Sequence, residues 1–79
     1  MPRYFFHLVG KAGTILDVEG TDLPDLDRAR SEAIRDARNL MSDAMREGRD
    51  ISSRRIHICD ADAKILLEVP FFQALTRDD

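Results

Sequence analysis

The chain has 79 residues, 43% of them hydrophobic and 34% charged, with a formal net charge of -3. That length admits one small domain and excludes a second one, while the apolar fraction suffices to fold and the charged fraction to cover the surface. The acidic total offers no overall attraction to nucleic acid or anionic lipid, so any such function must rest on a local basic patch.

Cys59 is the single cysteine. It excludes an internal disulfide framework and points to a reducing compartment. The start, Met1 to His7, places one basic residue before a brief apolar run, too short for the apolar core of a signal peptide, and no stretch approaches membrane-spanning length. A cytoplasmic protein held by packing or oligomerisation is expected.

Arg3 to Val9 alternates Tyr4, Phe6 and Leu8 with Phe5, His7 and Val9 and predicts a first strand with two largely apolar faces. Gly10-Lys11-Ala12-Gly13 supplies a turn, and Thr14 to Glu19 reads as the returning strand of a hairpin with Ile15 and Leu16 packed. Gly20 through Pro24 breaks the pattern, since Pro24 disfavours a helical Leu23. Asp25 is placed to cap a helix and Asp27 to complement its dipole, giving an expected span of Leu26 to Glu47. Leu26, Ala29, Ala33, Ala37, Leu40 and Ala44, with Ile34, Met41 and Met45 beside them, recur at helical spacing and should lie on a sheet. Gly48 suits the residue that ends the helix.

Beyond the polar stretch Arg49 to Ser53, the run Arg54 to Asp60 alternates Ile56 and Ile58 with Arg55, His57 and Cys59. Asp60-Ala61-Asp62-Ala63 makes a turn. The last strand, Lys64 to Val69, sets Ile65, Leu67 and Val69 on one face and Leu66 and Glu68 on the other, Pro70 closes it, and Phe71, Phe72, Ala74 and Leu75 form a closing turn. The expected fold is α+β: a four-stranded, mainly antiparallel sheet in ββαββ order with one long amphipathic helix packed on one face.

One sheet face is then left open, bearing Phe5, Leu16 and Leu66 near Phe71 or Phe72, with Arg55 and His57 as polar neighbours. That face predicts a homodimer or a protein partner. His57-x-Cys59 with Asp60 nearby has two soft or borderline ligands on one strand side, short of the four a structural zinc site needs, and His7 lies on another strand. A Cys59–His57 nucleophile pair lacks any further catalytic companion, and no phosphate loop, nucleophile elbow or zinc helix is present. Asp60-x-Asp62 lacks the third oxygen ligand and glycine of a calcium loop. The expectation is no catalytic residue, no metal and no cofactor. Arg46, Arg49, Arg54 and Arg55 form a candidate anion patch that could bind nucleic acid, but Asp43, Glu47 and Asp50 are interleaved with them.

The opening Met1-Pro2-Arg3-Tyr4-Phe5-Phe6-His7, the segment Asp17-x-Glu19-Gly20-Thr21-x-Leu23-Pro24-Asp25-Leu26 and the closing Val69-Pro70-Phe71 together resemble short uncharacterised proteins, widespread in rhizobia and related alphaproteobacteria, that are grouped as a domain of unknown function. The resemblance covers nearly the whole chain and implies a cytoplasmic bacterial protein with no assigned activity or catalytic residue. The second turn departs from it, lacking a glycine in Asp60 to Lys64. A fainter similarity, through Leu23-Pro24-Asp25-Leu26 alone, is to antitoxins of the partial ribonuclease-H type, which implies a toxin-neutralising or nucleic-acid-binding regulator as the alternative.

Overall fold

The sheet is assembled on β1 (Arg3–Gly10), in a computed structural model that describes residues 1–75. Along one side β1 pairs with β4 (Arg55–Cys59), from Phe5↔Cys59 to Val9↔Arg55. Its other side is shared by two short strands, β2 (Gly13–Ile15) and β3 (Thr21–Asp22), and β5 (Ile65–Pro70) pairs with the far side of β4. Every pairing is antiparallel, in the order β2-β1-β4-β5 with β3 beside β1.

One helix on an antiparallel sheet is the expected α+β class, but the sheet has five strands and the order is βββαββ rather than ββαββ. The expected second strand, Thr14 to Glu19, stops at Ile15. Since Ile15 pairs with Leu8 and Thr21 with Tyr4, the five residues Leu16 to Gly20 stand against only Phe5, Phe6 and His7. Two residues too many cannot follow the ladder, so the edge swells into a loop and resumes as β3. Ile15, expected to pack in the hairpin, is accordingly 67% exposed, and Leu16, expected either to pack there or to lie on the open face, is 64% exposed in the loop.

The helix α1 (Leu26–Arg46) starts as anticipated: Asp25 is extended and its side chain accepts the Arg28 N–H at 2.9 Å. It ends at Glu47, after which Gly48 takes φ +77, a conformation glycine adopts without strain. Ala29, Ala33, Ala37 and Ala44 are buried, and their small side chains let the helix lie close on β4, β5 and the short 3-10 helix η1 (Phe71–Ala74). Leu40 and Met45, expected on this stripe, stay exposed; Met45 lies about 100° around the helix from Ala44 and so points off the packed side.

Tyr4, Leu23, Ile51, Ile56, Ile58, Val69 and Phe71 complete the core around the alanines. Phe71 has no exposed surface and Phe72 is 61% exposed, so of the two only Phe72 can belong to a surface patch. The β4–β5 turn closes without glycine because Ala63 takes φ +64, and the Asp60 carboxylate accepts the N–H groups of Asp62 and Lys64 at 2.9 Å each. Among the described residues no helix is long and apolar enough to cross a membrane.

Candidate functional site

Strand alternation divides the side chains of β1 and β4 between two faces. The pairs Phe6↔Ile58 and Leu8↔Ile56 face the helix, while Phe5↔Cys59, His7↔His57 and Val9↔Arg55 face away. Because His57 also pairs with Glu68, the residues His7, His57 and Glu68 form one row across three strands of the face opposite the helix. Glu68 Oε2 lies 2.8 Å from His57 Nε2 and 3.2 Å from Arg55 Nε, so one carboxylate joins the histidine and the arginine.

At the end of this row the edge loop is fastened by Asp17. Its backbone N–H donates to His7 Nδ1 at 3.0 Å, so the neutral ring carries its proton on Nε2. Its carboxylate accepts three backbone N–H groups, from Phe6 at 3.1 Å, Gly20 at 3.1 Å and Glu19 at 3.2 Å. Burial pulls the Asp17 carboxyl upward, but these three backbone donors outweigh it and hold the group below the ordinary value. The side chain thus replaces the ladder partner that Phe6 loses where the strand swells out.

Arg3 closes the other end of the loop. Its guanidinium holds Asp22 through two nitrogens, at 3.0 and 3.3 Å, and donates to the Glu19 carbonyl at 3.0 Å. Gly20, at φ +73, lies beneath Arg3 and Phe5 so closely that a Cβ there would meet Arg3 Cγ at 2.8 Å and Phe5 Cε2 at 2.9 Å. The Asp17-x-Glu19-Gly20 pattern carried a local signal for this device, an acid and a glycine at turn spacing, but not for the strand whose donor it satisfies.

Of the residues expected on the open face, Phe5, His57 and Arg55 are there and half-buried. Leu66 is half-buried and packs against the core cluster, and Leu16 lies exposed in the edge loop, away from the others. The candidate anion patch is largely occupied within the chain. Arg46 pairs with Asp43 at 2.7 Å, Arg49 with Glu47 at 2.6 Å and Arg55 with Glu68. Arg54 lays its side-chain stem against Gly10 and has no carboxylate partner among the described residues.

Cys59 is buried, and burial, reinforced by the charge of Asp60, pushes its thiol above the ordinary value. That disfavours the thiolate a nucleophile or metal ligand requires. Among the described residues no three of His, Cys, Asp and Glu converge as a metal would need. What the sequence pattern did not show are two grooves of about 490 Å³ each. One lies between the β1–β2 hairpin and residues 50–54, with Leu8, Ile15 and Ile51 in its wall; the other is bounded by Met41, Met45, Ile51 and Leu75.

The protein-family model described as Domain of unknown function (DUF6894) matches residues 3–73. The chain belongs to that family. The matched span of this DUF6894 domain takes in all five strands and the helix, so the Asp17 fastening, the helix cap and the His7–His57–Glu68 row are all within it. No curated protein and no solved structure matches the chain.

Proposed function

We propose that this DUF6894 domain is a non-enzymatic, cytoplasmic protein-interaction module that self-associates through its sheet layer. The observation that carries this is an antiparallel sheet whose single helix covers one side only, on a chain that leaves Ile15, Val18, Ile65 and Phe72 each more than half exposed.

The raised thiol of Cys59, and the contacts that engage the two histidines, His57 with Glu68 and His7 with the Asp17 N–H, favour a binding role over a reactive one. The regulator alternative rests on the arginines, most of which already meet carboxylates, and such exposed pairs leave little free positive charge for a phosphate backbone. Sedimentation velocity over about 1 to 100 μM tests the proposal by mass action. A mass rising from monomer to dimer supports it. A monomer mass throughout, with nucleic-acid binding that weakens steeply as salt is raised, would replace it with the regulator.

A further inference from the structure

We infer that the groove between the β1–β2 hairpin and residues 50–54 binds a small organic anion, a carboxylate or phosphate group carried on an apolar body, with Lys11 and Arg54 holding the charge. The inference goes beyond the self-association proposed above and does not depend on it.

Unpartnered charge singles out this groove. Among the described residues, the lysine and arginine side chains that make neither an ion pair nor a hydrogen bond are Lys11, Arg30, Arg54 and Lys64. Of these, Lys11 and Arg54 line the same groove. The second groove has Arg49 as its cation, and Glu47 already holds it at 2.6 Å. Arg46 and Arg55 are likewise paired, with Asp43 and Glu68.

The fold keeps Arg54 in place. Its backbone N–H donates to the Ile51 carbonyl at 3.1 Å and its carbonyl accepts the Phe71 N–H at 2.9 Å, which fixes the chain on both sides of the residue. The side-chain stem lies over Gly10, where a Cβ would stand 3.4 Å from Arg54 Cγ and 3.7 Å from Arg54 Nε. The guanidinium is thus laid against the end of β1, beside the residue that precedes Lys11. Two like charges at one groove are relieved by a bound anion, and a guanidinium offers a carboxylate or phosphate two parallel N–H donors. Asp50 is the one carboxylate in the wall. It accepts the Ser52 N–H at 2.9 Å and pairs with neither cation, so the wall stays net positive on a chain whose total is -3. Thr14 and Ser53 add hydroxyl groups.

The rest of the wall indicates what the anion is attached to. Leu8, Ile15 and Ile51 are apolar, and Ile15 is 67% exposed, with area left to cover. The groove volume of about 490 Å³ suits a small molecule. Val18, Ile65 and Phe72 are comparably exposed, yet none lines either groove. A nucleic-acid backbone needs a series of free cations, and two are too few.

The test is an NMR titration of the nitrogen-15-labelled full chain with hexyl phosphate, hexanoate, inorganic phosphate and hexanol. Amide shifts of Lys11, Thr14, Ser53 and Arg54 should saturate with hexyl phosphate or hexanoate. The two controls, one lacking the apolar body and the other the charge, should each bind at least about ten-fold more weakly. The tighter of the two organic anions names the source of the charge. Arg54→Gln and Lys11→Gln should each weaken that probe by about ten-fold. Arg46→Gln, at an arginine outside the groove that pairs with Asp43, should leave it unchanged. Circular dichroism checks the fold, and Lys11, exposed in a turn, can be replaced without disturbing it. Absence of a saturable shift at these residues overturns the site. So does binding that survives both glutamine variants, or that inorganic phosphate matches. A short oligothymidylate bound more tightly through the same residues would replace the site with a nucleic-acid contact. Each readout is independent of the mass of the chain, so the site can fail while the self-association stands.

Discussion

Replacing Asp17 with alanine removes the acceptor of three backbone N–H groups at once. The Phe6 N–H matters most, because it belongs to a half-buried strand at the place where the neighbouring edge has swung away, and only the carboxylate reaches it, at 3.1 Å. Leaving such a donor unpaired costs about 1–3 kcal/mol, and the Gly20 bond adds roughly another 1 kcal/mol, while the exposed Glu19 N–H can turn to water. The sum, about 2–4 kcal/mol, is a large part of the roughly 4–12 kcal/mol expected for a domain of this size. It corresponds to a fall in melting temperature of about 8–30 °C. Asp17→Asn keeps one oxygen for Glu19 and Gly20 but turns an amide donor toward Phe6, so it should fall between wild type and alanine. Urea unfolding at neutral pH gives the three values. If alanine came within about 0.5 kcal/mol of wild type, the carboxylate would not be the fastening described, since an exposed substitution costs no more than that.

The same carboxylate predicts the direction of acid sensitivity. Asp17 is held below its ordinary value by the net effect of its hydrogen bonds, and Asp22 by Arg3. A group with a lowered folded-state value contributes stability that is present above the unfolded value, 3.8, and is lost as pH falls through the folded one. Unfolding free energy should therefore decline below about pH 4 in the wild type, and more gently in Asp17→Ala; parallel curves would refute the assignment. Ala63→Gly should raise stability by about 1 kcal/mol in thermal unfolding, because the left-handed conformation costs an L-residue roughly that much and glycine very little. A loss of stability would show the turn to be otherwise constrained. Cys59 in the folded chain should react with iodoacetamide far more slowly than a free thiol at neutral pH, and at the free rate once urea unfolds it. Fast labelling of the native chain would reopen a nucleophilic role.

Where periodicity is strong, sequence and structure coincide. The alanine stripe, the Asp25 cap and the alternation of Ile56 and Ile58 each reflect one local rule acting alone. The edge from Thr14 to Asp22 was not legible because its conformation depends on distant partners: the Phe6 N–H, the His7 ring and the Arg3 guanidinium. Alternation there suggests a strand, and a side chain competing with the ladder overrides it. The exposure of Met45 escaped for a related reason. Met41 and Met45 both fit a core pattern along the helix, yet Met41 packs against the core cluster while Met45 is 78% exposed.

These placements bear on how the family resemblance should be understood. In the segment from Asp17 to Leu26, Asp17 fastens the edge, Gly20 fits beneath Arg3 and Phe5, Thr21 pairs with Tyr4, Leu23 enters the core, and Asp25 caps the helix. Each of these residues has a structural task that accounts for its identity without any ligand. The segment most characteristic of the chain is therefore a folding device, which sets the edge of the sheet and the direction in which α1 leaves it. Under the proposed interaction role, the residues to test are exposed apolar side chains without such a task, Val18 within the segment and Ile15 and Met45 outside it.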